Sequence, residues 1–256
     1  MFANMKKIIL PVLLAASLAA CAAPDVVDGI SDPYEQTNRK THAMNLAVDR
    51  ALVKPASTAY GTIVPEPVMQ GITNVSKTLS LPGVVVNDVL QLRLDEAAHN
   101  TVRFIVNATF GIGGLVDVAG AFGLEERDTD FGETLHRWGV GEGNYVVLPL
   151  YGPSTERDAF GLLVDIALDP VSLLETGLEK YKLPLTVAGL ADARYRYSDL
   201  YESVAYESAD SYSVLRLTYL DKRRYELVAP LGGAKDDTGG ATGGAAAYDI
   251  YEDFYE

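Results

Sequence analysis

The chain has one cysteine and three histidines in 256 residues. A sole cysteine forms no internal disulfide. The histidines, His42, His99 and His136, are far apart, the first two in separate predicted helices and the third beside a predicted loop, so neither a shared metal site nor a cofactor is expected. Basic residues are also few: 21 Lys and Arg oppose 35 Asp and Glu, for a formal net charge of −14. Nucleic acid and bare anionic lipid surfaces, which need clustered cations, are therefore excluded as partners. Strand-like alternation is almost absent. There is no G-x-S-x-G elbow, H-E-x-x-H pair or Walker loop, and the glycines at 111, 113 and 114 miss the dinucleotide spacing because Val116 holds the next required position.

What is present begins at the N-terminus. Lys6 and Lys7 form a positive patch, Ile8 to Leu18 an apolar stretch, and Leu18-Ala19-Ala20-Cys21 a small-residue cleavage site. The apolar stretch is shorter than the ~20 residues a bilayer span requires. Residues 1–20 thus read as a lipoprotein signal peptide, and Cys21 as the acylated first residue of the mature chain, carrying a diacylglycerol thioether. Several acyl chains on one residue hold a protein firmly, because each buried methylene contributes roughly 0.8 kcal/mol. Ala22 stands where an inner-membrane retention signal usually has Asp, which by analogy directs the anchor to the outer membrane, and residues 21–30 read as a tether.

From Asp32 to Tyr225 apolar residues recur every three to four positions, which predicts a mainly α domain over 31–229. Pro67 falls near the first turn of a helix running toward Leu79, Pro82-Gly83 is expected to break it, and Val84 to Leu92 is expected to form a separate short helix. Asp95 is read as the cap of the next helix, through Phe110. On it Ala98, Val102, Ile105, Val106 and Thr109 share one face, and Glu96, His99, Asn100 and Arg103 lie elsewhere. The run from Gly111 to Gly114 ends it, with glycine supplying the left-handed conformations. Residues 113–124 are apolar apart from Asp117 and suit either a buried core or a place within a membrane. Asn144 to Tyr151 is the one strand-like run, and a helix follows from an N-cap at Ser154 to Asp169-Pro170. Residues 195–225 read as a tyrosine-rich helix, suited to a lipid interface or a half-buried face. Residues 230–256, rich in Gly and Ala and then acidic, read as a disordered tail.

No catalytic set is expected. Asp128, Asp130 and Glu133 could pair as acid and base, but Asp130 three residues before Glu133 has the form of a helix capping box. Ser154 with His136 could be drawn as a hydrolytic pair, yet Ser154 suits a cap.

Four blocks then stand out: DPYEQTNR at 32–39, VPEPV at 64–68, RFIVNATFGIGGLVDVA at 103–119 and FGETLHRWGVGEGNYVVLPLYGPSTERD at 131–158. Together they resemble the MlaA (VacJ-like) family of outer-membrane lipoproteins over roughly residues 31–205. The resemblance implies a ring-like helical protein embedded in the inner leaflet of the outer membrane, with an amphipathic central channel. It implies that phospholipids that have strayed into the outer leaflet pass through that channel and are handed to a periplasmic lipid-carrier protein, so that lipid asymmetry is kept. It also implies association with a trimeric porin. On this reading Arg103, Asn107 and Asp117 are the choices for the lipid path. Asn38, Arg39, Met44 and Asn45 match the segment that holds the family's gating loop. There the chain departs from the family, because after the Asn-Arg pair only Met44 is both large and apolar in the run Lys40-Thr41-His42-Ala43-Met44-Asn45. Two other functions remain open at this point: a scaffolding lipoprotein bound to a porin, and an envelope phospholipase using Ser154 or the acidic cluster at Asp130.

Overall fold

A computed structural model describes residues 26–27, 30–173 and 177–228. The signal peptide, Cys21 and the tail at 230–256 lie outside the described residues, as does most of the tether at 21–30. Two short strands, β1 (Val26–Val27) and β2 (Ile30–Ser31), pair antiparallel ahead of the helices. Helix α1 (Glu35–Val48) runs through a π-helical segment, Asp49–Val53, into α2 (Lys54–Ile63). Pro55 accounts for the π segment: it has no N–H to give the carbonyl four residues back, and Lys54 instead donates to Asp49, five residues back.

The next helix, α3, runs unbroken over Glu66–Leu90, so the expected break at Pro82-Gly83 does not occur and Val84 to Leu90 is its last part. A proline inside a helix costs about 3 kcal/mol. Burial of Leu81 and Val84 on either side of it offsets that cost, which local sequence does not reveal. Helix α4 (Leu94–Thr109) starts from Arg93, and Asp95 is not its cap; its carboxylate lies in the first turn, where the helix dipole favours it. The reversal after α4 uses Gly113 and Gly114 at positive φ, but Ile112 also adopts φ 55° there, so glycine is not alone in the left-handed region.

After α5 (Val118–Ala121) and α6 (Phe131–Arg137), strands β3 (Tyr145–Leu148) and β4 (Gly152–Thr155) form a hairpin with Tyr145 opposite Thr155. Helix α7 (Glu156–Ala167) is capped by Thr155, whose hydroxyl accepts from the Asp158 N–H, one residue later than the expected Ser154 cap. Ser154 is a buried strand residue instead. Helices α8 (Pro170–Leu173), α9 (Glu179–Arg196), α10 (Ser198–Glu202), a second π segment (Ser203–Glu207) and α11 (Ser211–Val228) complete the chain.

The packed neighbours close on themselves. Helix α2 lies against α9, α9 against α3, α3 against α6, α6 against α7, α7 against β3, and β3 against α1, which leads back to α2. The body is ring-like and mainly helical, with α4 as a second layer on α3 and α11 against β4.

Its burial pattern is inverted. Among the described residues, buried polar and charged side chains outnumber buried apolar ones, and the largest apolar cluster is small: Tyr145, Val147, Tyr212 and Leu220. On α4 the polar residues Glu96, Asn100, Arg103 and Asn107 face inward while Leu94, Val102 and Ile105 face outward. Phe160, Leu163 and Ile166 on α7, and Leu183, Val187 and Leu190 on α9, are likewise exposed. The expected apolar stripes exist, then, but they lie on the outside. Among the described residues no helix is long and apolar enough to cross a membrane.

Candidate functional site

Helix α3 carries Gln70, Thr73, Asn74 and Lys77 at helical spacing, so the four share one face. Across from them α9 presents Gly189, Asp192 and Arg196, and the space between is a half-open polar cavity of about 380 Å³. Thr73 donates to Asp192 at 3.3 Å, and Arg196 binds both Asp192 (2.8 Å) and Glu66 (2.7 Å). Asn74 and Lys77 also line a second, small cavity of about 20 Å³, whose far wall is Arg103, Asn107 and Asp117. Asn74 and Lys77 line both cavities, so polar side chains mark a track along α3 from one to the other.

The three residues expected on the lipid path are brought together there. Arg103 Nη2 lies 2.7 Å from Asp117 Oδ2, and Asn107 Nδ2 donates to Asp117 Oδ1 at 2.9 Å. Asn107 Oδ1 accepts from the Ala119 N–H and Asp117 from the Gly120 N–H, which fixes α5 to α4. Arg103 also donates to the Leu124 carbonyl. Burial pushes the Asp117 carboxyl up, but the bonds from Asn107, Gly120 and Arg103 outweigh burial and leave it below the usual carboxylate range. The trio is a rigid, charge-paired wall, and the freer cation on the track is Lys77, exposed and 2.6 Å from Glu126.

The segment expected to hold a gate is pinned to the hairpin. Asn38 Nδ2 donates to the Tyr145 carbonyl (3.0 Å) and its Oδ1 accepts from the Val147 N–H (2.9 Å). Asn45 does the same to Leu148 (3.0 Å) and Leu150 (2.8 Å). Arg39 binds Asp210 at 3.0 Å and Glu35 at 2.7 Å, and Met44 is half-exposed.

The residues weighed for catalysis are not assembled. The Ser154 hydroxyl bonds the Thr155 carbonyl and His136 Nδ1 faces Arg157, so the two point to different partners. Asp130 caps α6 by accepting from the Glu133 N–H at 2.8 Å, whereas Glu133 turns to Arg93 at 2.9 Å rather than completing the box. His42 bonds Ser211, and His99 bonds the Glu125 carbonyl.

Sequence reasoning missed Tyr151, and it weighed Asp128 only as one member of an acidic cluster. Asp128 is solvent-exposed, yet burial is the leading cause that pushes its carboxyl up to about 6, followed by the charges of Glu126 and Asp130. Tyr151 is 63% exposed, yet its phenol is raised by burial and then by Asp130. A group that water reaches while protein surrounds it lies in a concavity, and Asp130 acts on both Asp128 and Tyr151. The polar stripe on α3 was visible as a 3–4 spacing; the concavity depends on loops meeting and has no local signal.

The family model for the MlaA lipoprotein matches residues 30–226. The chain is similar to the Escherichia coli K12 protein named "Intermembrane phospholipid transport system lipoprotein MlaA", 33% identical over 217 residues that cover 83% of this chain and 84% of that one. It is 33% identical to a Rickettsia bellii protein over 202 residues, 78% of each. A solved structure described as "Structural basis for maintenance of bacterial outer membrane lipid asymmetry" superposes with a TM-score of 0.66 at 31% identity, covering 77% of this chain and 99% of that chain.

Proposed function

The chain belongs to the MlaA lipoprotein family, and from that premise we propose that it draws phospholipids out of the outer leaflet of the outer membrane and passes them inward, preserving lipid asymmetry. Cys21 anchors it by acylation, the body sits in the inner leaflet, a periplasmic carrier receives the lipid, and a trimeric porin holds the assembly. The protein performs no catalysis.

One observation supports this reading: polar side chains line cavities along α3 in a body whose outer helix faces are apolar. Helices satisfy their own backbone hydrogen bonds and tolerate hydrocarbon around them. Leu94, Val102 and Ile105 on α4, Phe160 and Leu163 on α7, and Leu183 and Leu190 on α9 would face acyl chains. Moving a bare headgroup through hydrocarbon is costly, and a wet track lined by Thr73, Asn74 and Lys77 removes that cost. No energy source is required at this step, because removal of lipid by a carrier makes the passage downhill.

A photo-crosslinking side chain placed at position 77 tests the reading in living cells. Phospholipid adducts are expected there, as at the outward position 102, and not at Lys222 on α11. Adducts at 102 with none at 77 would leave an embedded protein that carries no lipid, which favours the scaffolding role.

A further inference from the structure

A second half-open cavity, of about 190 Å³, lies apart from the α3 track, between α6, α7, the β3–β4 turn and α11. Its walls hold four carboxylates, Asp130, Asp158, Asp165 and Glu226, and one guanidinium, Arg223. Arg223 is committed to two of them: its Nη2 lies 2.7 Å from Asp130 and 3.1 Å from Asp158. Its Nη1 has only Glu226, at 3.7 Å. Asp165 receives neutral donors alone, the Phe131 N–H at 3.0 Å and Asn87 Nδ2 at 2.8 Å. A half-buried carboxylate without a cationic partner, on the wall of an open cavity, is a place for a cation. Tyr151 adds an exposed aromatic ring at the rim, and its phenol lies close enough to Asp130, Asp158 and Asp165 to feel their charges.

The surroundings restrict what kind of cation fits. Asp158, Leu162 and Asp165 occupy one face of α7, while Phe160, Leu163 and Ile166 are exposed on another. A helix is about 10 Å across with its side chains, so this acidic cavity is one helix width from the apolar outer surface. An amphiphile with a cationic tip suits both sides. A phosphate beside that tip would meet Arg223 Nη1, which otherwise faces only Glu226 at 3.7 Å.

We propose that this cavity is a headgroup station for phospholipids bearing a primary ammonium group, such as an ethanolamine phosphate, in preference to purely anionic phospholipids. The ammonium pairs with Asp165 beneath the Tyr151 ring, and the phosphate meets Arg223. A headgroup with negative charge alone can offer its phosphate to Arg223 but has no ammonium to pair with Asp165, and it is repelled by the surplus carboxylates. The proposal rests on the phospholipid-conduit reading and adds a headgroup preference to it.

The test uses the full acylated protein in nanodiscs of equal phosphatidylethanolamine and phosphatidylglycerol, extracted gently, with the retained lipid identified by mass spectrometry. Wild type is expected to retain phosphatidylethanolamine in excess by about threefold, the scale of one screened ion pair. Asp165→Asn should bring the ratio toward one. Because Asp165 also holds the α6 N-terminus, Glu226→Gln on the exposed rim is the second variant, with a smaller shift in the same direction. Equal retention by wild type overturns the headgroup preference and leaves the conduit standing. A wild-type excess that neither variant alters overturns this cavity as its source. Absence of both lipids from the wild type overturns the conduit and this proposal together.

Discussion

Asn38 and Asn45 stand seven residues apart on α1, and each closes a two-point clamp on the backbone of the β3 edge, at Tyr145 and Val147 and at Leu148 and Leu150. The spacings agree: seven helical residues advance about 10.5 Å and three strand residues about 10 Å. Two carboxamides thus replace a neighbouring strand, and they satisfy an edge whose backbone groups would otherwise lack partners. The departure from the family after the Asn-Arg pair leaves both clamps in place, since Asn38 precedes the departing run and Asn45 ends it.

Breaking one clamp should loosen α1 from the hairpin. Asn38 is buried, so Asn38→Ala leaves a peptide donor and acceptor unpaired and is expected to cost about 2 kcal/mol, read as a lower melting midpoint in detergent. Asn38→Asp should cost more, because it loses the donor and sets a carboxylate beside Asp32, which Asn38 Nδ2 now contacts at 2.9 Å. Equal melting of wild type and both variants would show the clamps to be idle.

The buried pair Asp49–Arg194 joins the first π segment to α9, with Arg194 Nε and Nη2 each 3.0 Å from a carboxylate oxygen, and Tyr206 in the second π segment also donates to Asp49. Arg194→Leu strands a buried carboxylate and is expected to cost about 3 kcal/mol or more. The double variant Asp49→Leu with Arg194→Leu should regain part of that loss in the same melting experiment. A double variant no more stable than the single one would contradict the pairing.

Two glycines on separate helices should respond in opposite directions. A methyl on Gly161 would lie 2.4 Å from the Gly132 backbone nitrogen, so Gly161→Ala must push α7 away from α6 and is expected to destabilise by about 1–3 kcal/mol. Gly189 on α9 has nothing within 4 Å of such a methyl, and Gly189→Ala is expected to stabilise by about 0.5–1 kcal/mol. Chemical denaturation of both variants beside the wild type measures the two signs.

Helix content, the first strand of the hairpin, the reversal after α4 and the Asp130 cap were legible because each has a local cause: apolar spacing, β-branched residues before a turn, glycines, and a short side chain one position before a helix; β4 was not, because Ser154 was read as a helix cap. Pro82 was misread because the burial that holds α3 straight through it comes from elsewhere in the fold. The face of α4 was read correctly as a stripe, but periodicity does not say which side meets solvent or lipid. Arg103, Asn107 and Asp117 were found through the family motif, and their bonds to one another show that they also hold α5 against α4. Lys77 went unnoticed and Asp128 was weighed only within an acidic cluster, since a single charge on a helix or loop looks like any solvated residue until the ring closes around it.

Asp128 gives the concavity a pH signature. Its carboxyl is raised to about 6, chiefly by burial, so the folded state holds that proton more tightly than the unfolded chain does. Its contribution therefore stabilises as pH falls from 7 toward 5 and is lost as pH rises through 6. His42 acts in the opposite sense, because burial lowers its imidazole and acid then favours unfolding. Carboxyls held low, such as Asp158 and Asp169, titrate below this window. The difference between wild type and Asp128→Asn isolates Asp128: the variant should melt higher at pH 7, with the gap narrowing by pH 5 and closing only below about pH 4. A gap that does not change with pH would place Asp128 in open solvent.

The central claim, that phospholipid passes along the α3 track, is tested most directly by plugging it. Gly189 lines the larger cavity on the track, so Gly189→Trp fills that space while Gly189→Ala leaves it open. Outer-leaflet phospholipid is measured in a strain lacking the gene and complemented with each form at matched abundance. The account predicts that loss of the gene raises surface phospholipid, that wild type and Gly189→Ala restore it to the basal level, and that Gly189→Trp does not. Full restoration by Gly189→Trp, or unchanged surface phospholipid on loss of the gene, would contradict it.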